Sequence, residues 1–161
     1  MQAVRIAAHG GPEQLHLVEL PKPSPGPGEI LVEMKCVSLN HLDVWVRRGI
    51  PGVRYPLPLI PGCDGAGVIS ALGPGVDSPG VGTRVALQPG VSCGRCEACL
   101  SGEDNLCRSY GILGESQDGT NAGFVAVPAV NVMPIGPDLS FEAASAFPLV
   151  FLTAWHMASD I

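Results

Sequence analysis

The apolar positions of this chain occur in short runs that glycine and proline interrupt, and the clearest run is "ILVEMKCVSL". Successive side chains of an extended chain point to opposite faces, so residues two apart share a face. One face of this run carries four apolar side chains, those of Ile30, Val32, Met34 and Cys36. The other face carries Leu31, Glu33, Lys35 and Val37. The alternation predicts a β-strand with one well-buried side.

Further short apolar runs predict additional strands, at residues 1–8, 15–20, 65–72, 83–87, 124–127 and 131–134. The chain contains 21 glycines and 16 prolines, many of them between these runs, which is typical of turns between strands. The segment "GAGVISALG" is interpreted as a strand rather than as a dinucleotide-binding loop, because no βαβ pattern surrounds it. The sequence therefore predicts a mainly β protein with short helices, built as a barrel or a sandwich.

Three segments predict helices. Asn40 can cap a short helix over "HLDVWVRR", which Gly49 would end, and Ser140 can cap another over "FEAASAF". A third helix begins at Pro148 and continues through "PLVFLTAWHMASDI" to the end of the chain. Its large apolar residues, Leu149, Phe151, Leu152 and Trp155, cannot all face one shallow sheet surface. We therefore expect another surface to cover the remainder, and we expect the chain to form a homo-oligomer.

The composition is that of a globular domain and argues against several kinds of partner. The 161 residues are 46% hydrophobic and 15% charged, which suits one domain or a little more. The formal net charge is −6 and Lys and Arg form no cluster, which argues against nucleic-acid binding. The longest apolar run, Ala146 to Trp155, is too short to cross a bilayer, and the first residues lack a signal-peptide pattern. These features predict a cytoplasmic protein without a membrane partner.

Four of the six cysteines lie in "CGRCEACLSGEDNLC", with the spacing C-x2-C-x2-C-x7-C: Cys93, Cys96, Cys99 and Cys107. Disulfide pairing is one interpretation, but a cytoplasmic chain keeps its thiols reduced. An iron–sulfur cluster is another, although the ferredoxin pattern places its fourth cysteine after three residues and follows it with proline. The spacing favours a third interpretation, in which four thiolates close a tetrahedral shell around Zn²⁺. A closed shell leaves no position for substrate, so this zinc, one per chain, would be structural.

Six segments, in their order and spacing, resemble the medium-chain dehydrogenase/reductase superfamily, the zinc-containing alcohol dehydrogenases and their quinone-reductase relatives. The segments are "GGPEQL", "PGPGEILVEMKCVSLNHLDVWVRRG", "PLIPGCDGAGVI", "GTRVALQPG", the four-cysteine stretch and "AFPLVFLTAW". The resemblance implies a GroES-like, partly open β-barrel as a catalytic domain over residues 1–135, with the zinc lobe inserted at 88–112. Residues 136–161 would then be crossing helices that lead into a Rossmann domain, which is expected downstream but is absent from this chain. The resemblance also implies NAD(P)H as the cofactor of the full-length enzyme.

The chain departs from that family where zinc alcohol dehydrogenases hold a second, catalytic zinc. At the three ligand positions it has Asn40, Cys63 and Leu149, of which only Cys63 is a strong ligand. Asp64, where the family has glutamate, could add an oxygen. Leu42 stands where the family has the hydroxyl that relays the substrate proton. These departures predict a reductase of a carbonyl, quinone or enone that uses no catalytic zinc. An alcohol dehydrogenase with an atypical metal site and a non-catalytic, zinc-stapled module are the alternatives.

The same resemblance implies roles for single residues toward a small-molecule substrate. Asn40 would donate a hydrogen bond to the substrate oxygen that gains charge, although it could equally cap the helix. Asp43 would orient its neighbours at the pocket floor or be a solvated first-turn carboxylate. Thr153 would lie beside the nicotinamide or bond back to its own helix. His41 would lie near the cofactor phosphates or be a surface residue. Cys63 is a candidate catalytic thiol or a small buried side chain.

Overall fold

Nine β-strands and four α-helices make up residues 1–159, the part of the chain that the computed structural model describes. The strands are β1 (Gln2–Arg5), β2 (His16–Glu19), β3 (Glu29–Ser38), β4 (Asp64–Leu72), β5 (Arg84–Leu87), β6 (Gly90–Val91), β7 (Gly111–Ile112), β8 (Phe124–Pro128) and β9 (Val132–Pro134). The helices are α1 (His41–Arg48), α2 (Glu97–Leu100), α3 (Phe141–Ala146) and α4 (Pro148–Ser159). Short 3-10 turns lie at Pro12–Gln14, Asp104–Leu106 and Ala129–Asn131.

Five of the strands form an antiparallel sheet in the order β8-β3-β4-β5-β9. Within the described residues its two outer strands do not pair with each other, so the sheet is open. Strands β1 and β2 form a separate hairpin, which the bridges Ala3–Ala122 and Ile6–Leu59 attach to the rest of the domain. The predicted mainly β, partly open architecture with short helices is confirmed.

The main hydrophobic core lies on one side of the five-stranded sheet. Its buried members are Ile30, Val32, Ile69, Val85, Leu87, Leu113, Val125, Val127 and Val132. A smaller cluster of Ile6, Val46 and Leu59, with Leu42 packed on it, joins α1 to the first hairpin. Each large side chain that is fully buried contributes about 1.5–3 kcal/mol through the hydrophobic effect.

Strand β3 is more buried than the alternation of its residues predicts. Its first half pairs with β8 on one side and with β4 on the other, and Ile30, Leu31 and Val32 are all buried. The predicted single buried face is therefore wrong for this half, because a central strand covered on both faces need not alternate. The pairing with β4 is also irregular between Met34 and Cys36, as in a β-bulge. Beyond this irregularity Cys36 is only half-buried.

The predicted helices are present with small differences at their ends. Helix α1 follows Asn40 and ends at Gly49, whose φ of 79° suits a residue without a side chain. At α3, the Ser140 Oγ accepts a hydrogen bond from the Ala143 N–H. The expected continuation of α4 to Ile161 lies partly outside the described residues. Among the described residues, no helix is long and apolar enough to cross a membrane.

Candidate functional site

The four clustered cysteines lie on a lobe that leaves the sheet after β5. The short ladder of β6 and β7 closes the lobe at its base, and helix α2 lies inside it. This ladder was missed in the sequence because two residues per strand carry no readable alternation. The four Sγ atoms lie within 4.8 Å of one another. The sequence-predicted ligands are therefore brought together.

The spacing of the sulfur atoms fits one metal ion. The Sγ of Cys99 lies 3.9 Å from that of Cys93 and 3.4 Å from that of Cys96. Four sulfurs at tetrahedral positions, each about 2.3 Å from zinc, are about 3.8 Å apart. Among the described residues, this is the one group of three or more His, Cys, Asp or Glu side chains placed to share an ion. All six cysteines of the chain are free thiols.

Hydrogen bonds shift the pKa values of the lobe cysteines in different directions. The N–H groups of Arg95 and Cys96 lower the pKa of Cys93 to about 6. The N–H group of Cys99 acts in the same sense on Cys96, but hydrogen bonds to the Cys99 and Cys93 sulfurs together with desolvation raise the pKa of Cys96 to about 11. The backbone N–H groups of Cys93 and Ser109 each lie 3.4 Å from the Sγ of Cys107. Such hydrogen bonds stabilise the negative charge of a sulfur ligand. The chemistry of the donor set therefore agrees with its geometry.

A second group of polar side chains, the polar cluster of Asn40, Asp43, Cys63 and Asp64, lies where α1, β4 and α4 begin. Asn40 Nδ2 lies 3.3 Å from the Sγ of Cys63 and 2.9 Å from Oδ2 of Asp64. Cys63 and Asp64 are fully buried, and Asn40 is half-buried. Both hydrogens of the Asn40 amide are thus directed into the cluster, one to a sulfur and one to a carboxylate.

Asp43 closes the polar cluster from α1. Its Oδ2 accepts a hydrogen bond from the backbone N–H of Asn40 at 2.7 Å. This is the contact of a capping box, in which the side chain at the third helical position binds the backbone of the N-cap residue. Its Oδ1 accepts from the backbone N–H of Gly62 at 2.9 Å. The carboxylate therefore fixes the segment before α1 against the segment before β4. The expectation of a fully solvated side chain does not fit these contacts.

Burial controls the ionisation of the polar cluster. Desolvation, together with the charges of Asp64 and Asp43, raises the pKa of the Cys63 thiol to about 12. Desolvation also raises the pKa of both carboxyls above the usual range, while hydrogen bonds from Asn40, Gly62 and Leu149 oppose that rise. At neutral pH Cys63 is therefore a neutral thiol.

The two residues predicted to contact the cofactor, His41 and Thr153, lie on α1 and α4. His41 is exposed, and its ring lies 5.0 Å from that of Trp45. Thr153 is exposed on α4, and its Oγ1 donates to the carbonyl of Leu149 at 2.8 Å. The hydroxyl keeps its lone pairs free to accept a further hydrogen bond.

Backbone groups in the cluster were missed by sequence reasoning. The N–H of Leu149 donates to Oδ1 of Asp64 at 3.0 Å, although the two residues are 85 positions apart. Thr120 Oγ1 donates to the carbonyl of Asp64 at 2.9 Å. A side-chain pattern carries little signal for these contacts, because any residue except proline supplies the same N–H group at 149 and any residue supplies the same carbonyl at 64.

A groove of about 680 Å³ borders the polar cluster from the side of β1 and β3. Asn40 and Asp43 line it, together with apolar side chains such as Leu17, Met34 and Leu39. Cys63, Asp64 and Thr153 do not. The groove therefore reaches only part of the predicted site.

The open antiparallel sheet, its inserted four-cysteine lobe and the helix that leads out of it define a metal-binding β-domain of the GroES-like class. The model of the alcohol dehydrogenase GroES-like domain matches residues 26–137, and the chain belongs to that family. The resemblance to the medium-chain dehydrogenases is thereby confirmed.

Individual relatives agree in sequence and in structure. An alcohol dehydrogenase of Geobacillus stearothermophilus is 41% identical over 146 residues, which are 90% of this chain and 43% of that protein. The crystal structure of an NAD-dependent alcohol dehydrogenase superposes with a TM-score of 0.95 at 54% identity, covering 99% of this chain and 47% of the other. The structure of a cobalt- and zinc-bound thermostable alcohol dehydrogenase from Pyrobaculum aerophilum superposes with a TM-score of 0.90 at 37% identity. The match covers 99% of this chain and 48% of the other. The chain thus spans less than half the length of these relatives.

Proposed function

We propose that this chain is the catalytic-domain portion of an NAD(P)H-dependent medium-chain oxidoreductase that reduces a carbonyl, quinone or enone without a catalytic zinc. The polar cluster carries this proposal, because its donor atoms suit a hydrogen-bonding site better than a metal site. In the proposed organisation, residues 1–135 form the catalytic domain with the zinc lobe at 88–112. Residues 136–161 lead to a nucleotide-binding domain supplied by the rest of a longer polypeptide.

The donor set of the polar cluster does not fit the three protein ligands of a catalytic zinc. Asn40 directs an amide nitrogen with its hydrogens at Cys63 and Asp64, and such a nitrogen is not a metal ligand. The third ligand position of the family is occupied by an apolar residue, Leu149.

The Asn40 amide can instead stabilise a substrate oxygen that gains negative charge. Its contact with the Cys63 sulfur is the weaker of its two hydrogen bonds, since sulfur is a poor acceptor. A carbonyl oxygen could replace the sulfur while the bond to Asp64 keeps the amide oriented. Asp43 would hold the backbone of Asn40 during this exchange. Leu42, packed against the cluster of Ile6, Val46 and Leu59, offers no hydroxyl for proton transfer at that position.

The cofactor would be NAD(P)H, which supplies a hydride to the substrate when it is bound. His41 and Thr153 are the residues of this chain that would contact it, His41 near the phosphates and Thr153 beside the nicotinamide. Their exposure, together with their places beside Asn40 and one helical turn after Leu149, supports this assignment. Cys93, Cys96, Cys99 and Cys107 would hold a single structural zinc.

The proposal is tested on a polypeptide of the length of the relatives. It should bind one zinc per chain and oxidise NADH or NADPH with a quinone, an enone or a simple carbonyl compound. Asn40→Ala should lower kcat about a hundredfold, the cost of removing one oxyanion donor. Asn105→Ala, an exposed amide in the lobe, is the matched control and should retain the parent's rate. Two tightly bound ions per chain, one of them at Cys63, would overturn the proposal.

The names of the relatives favour a second candidate, a zinc-dependent alcohol dehydrogenase with an atypical metal site. Because hydride transfer is reversible, reduction of a simple carbonyl alone does not separate the two candidates. A rate with a simple alcohol and NAD(P)⁺ that falls when zinc beyond one ion per chain is removed would favour this second candidate. A rate of quinone or enone reduction that stays the same when this additional zinc is removed would favour the first candidate. Both candidates act on small molecules.

A further inference from the structure

Asp64 contacts three different segments of the domain from the first position of β4. Its Oδ2 accepts from Asn40 Nδ2 at 2.9 Å, and its Oδ1 accepts from the Leu149 N–H at 3.0 Å. Its backbone carbonyl accepts from Thr120 Oγ1 at 2.9 Å. The side chain is fully buried, so both carboxyl oxygens depend on these partners rather than on water.

Helix α4 is held to the domain at its start. Pro148 is the one buried residue in the described part of α4, and Leu149 is half-buried. Five large apolar side chains that follow are exposed: Val150, Phe151, Leu152, Trp155 and Met157. Phe147, directly before the helix, packs on the small cluster of Ala66, Ala86 and Ala144. The first N–H groups of a helix lack partners within it, and Asp64 binds one of them. The direction in which α4 leaves the domain therefore depends on this first turn.

We infer that Asp64 is a positioning residue that couples the direction of helix α4 to the orientation of the Asn40 amide. The two carboxyl oxygens are rigidly joined, so a movement of Leu149 that turns the carboxyl plane also moves the oxygen that binds Asn40. A displacement of the Leu149 N–H thus changes the position of the Asn40 amide, and the reverse also holds, because such coupling is reciprocal. The inference rests on the proposed function, because the amide orientation matters only if Asn40 contacts the substrate.

The experiment measures hydrogen exchange at the Leu149 amide and the side-chain NMR signals of Asn40. It uses the parent chain, Asn40→Ala, Asp64→Asn and the double variant, with exposed Asp77→Asn as the matched control. Asp64→Asn should speed exchange at Leu149 about tenfold or more, since one side-chain oxygen cannot replace both carboxylate contacts. The same substitution should shift the Asn40 side-chain signals. Asn40→Ala should speed Leu149 exchange at least about threefold in the parent and have no further effect in Asp64→Asn.

Two outcomes would overturn the inference. One is an exchange rate at Leu149 that Asn40→Ala does not change. The other is an effect of Asn40→Ala on that rate that is equally large in the parent and in Asp64→Asn. If Asp64→Asn does not fold, the single Asn40→Ala variant still decides by the first criterion. Asp64→Glu, which retains two carboxylate oxygens, should then keep more of the Leu149 protection than any neutral residue. None of these measurements involves turnover, so the coupling and the proposed reductase activity can fail separately.

Discussion

The zinc lobe and the polar cluster use the same side-chain chemistry in opposite ways. The lobe takes four cysteines from fifteen consecutive residues, with backbone N–H groups directed at the sulfurs of Cys93 and Cys107. The polar cluster takes Asn40, Asp43, Cys63 and Asp64 from two separate segments and buries Cys63 beside two carboxyls, which favours a neutral thiol. The surroundings of a sulfur thus set its ionisation, and the number of cysteines alone does not.

The largest effect is expected from the loss of one lobe ligand. Cys99→Ser should weaken zinc affinity on the order of a thousandfold, because a hydroxyl does not replace a thiolate at a four-sulfur site. Competition with a chromogenic chelator measures this affinity. Cys36→Ser, which removes a half-buried thiol outside the lobe, is the control and should leave zinc affinity unchanged.

The damage from Cys99→Ser should remain local. Hydrogen exchange should increase over residues 88–112, while the NMR signals of Asn40 and Asp64 should stay in place, since the lobe is attached by the short ladder of β6 and β7. A variant as resistant to chelators as the parent would show that Cys99 is not a ligand. Loss of the Asn40 signals would show that the two regions are not independent.

The second expected effect separates the two kinds of thiol by their reactivity. The pKa of Cys63 rises from the ordinary 9.0 to about 12, which leaves a thousandth of the usual thiolate at a given pH. In the zinc-loaded protein at pH 8, iodoacetamide should therefore alkylate Cys63 at least about a hundredfold more slowly than Cys36. Peptide mass mapping over time measures both rates. Equal rates at the two positions would contradict the buried, neutral state of Cys63.

A third effect concerns Gly62, whose N–H binds Asp43 and whose backbone has a φ of 101°. A Cβ at this position would lie 2.6 Å from Thr120 Oγ1, so Gly62→Ala should lower the free energy of unfolding by about 2–4 kcal/mol. Gly75→Ala is the control, because its φ of 80° is similar but no atom lies within 4 Å of the added carbon. It should cost only about 1–2 kcal/mol of backbone strain.

Urea denaturation of zinc-saturated protein measures both glycine variants. If Gly62→Ala and Gly75→Ala lower the free energy of unfolding equally, the segment around Gly62 and Thr120 accommodates the added carbon at no cost. Zinc affinity should not change in either variant, which extends the comparison between the lobe and the polar cluster. A weaker zinc affinity in Gly62→Ala would indicate that the segment before β4 supports the lobe.

The sequence predicted what depends on neighbours along the chain. Asn40 and Gly49 delimit α1 correctly, and the spacing of the four cysteines identified a set that the fold brings together. It did not predict the irregularity in β3 after Met34, because a bulge depends on the partner strand. Nor did it predict the bond between Asp64 and the Leu149 N–H, since a backbone donor has no side-chain signature. The metal-ligand set of the lobe could therefore be predicted from the sequence, and the contacts of the polar cluster only in part.

The smallest expected effect is a pH dependence that arises in the polar cluster. Burial raises the pKa of Asp43 above the ordinary 3.8, although the N–H groups of Asn40 and Gly62 oppose the rise. The folded state then holds the proton more tightly than the unfolded state, so this contribution is present at low pH and is lost as pH rises through the folded pKa. Asp43→Asn cannot ionise and should be less stable than the parent, by a deficit that shrinks as the pH rises from about 4 to about 7.

Comparison of variants is needed because acid also protonates the cysteine ligands and weakens zinc binding in every variant. The difference between parent and Asp43→Asn at saturating zinc removes this common loss, and exposed Asp77→Asn serves as the matched control. A deficit that grows with pH would mean that the two N–H groups outweigh burial and that the fold prefers the ionised carboxylate. The sign of this small change therefore decides whether desolvation or hydrogen bonding controls the polar cluster.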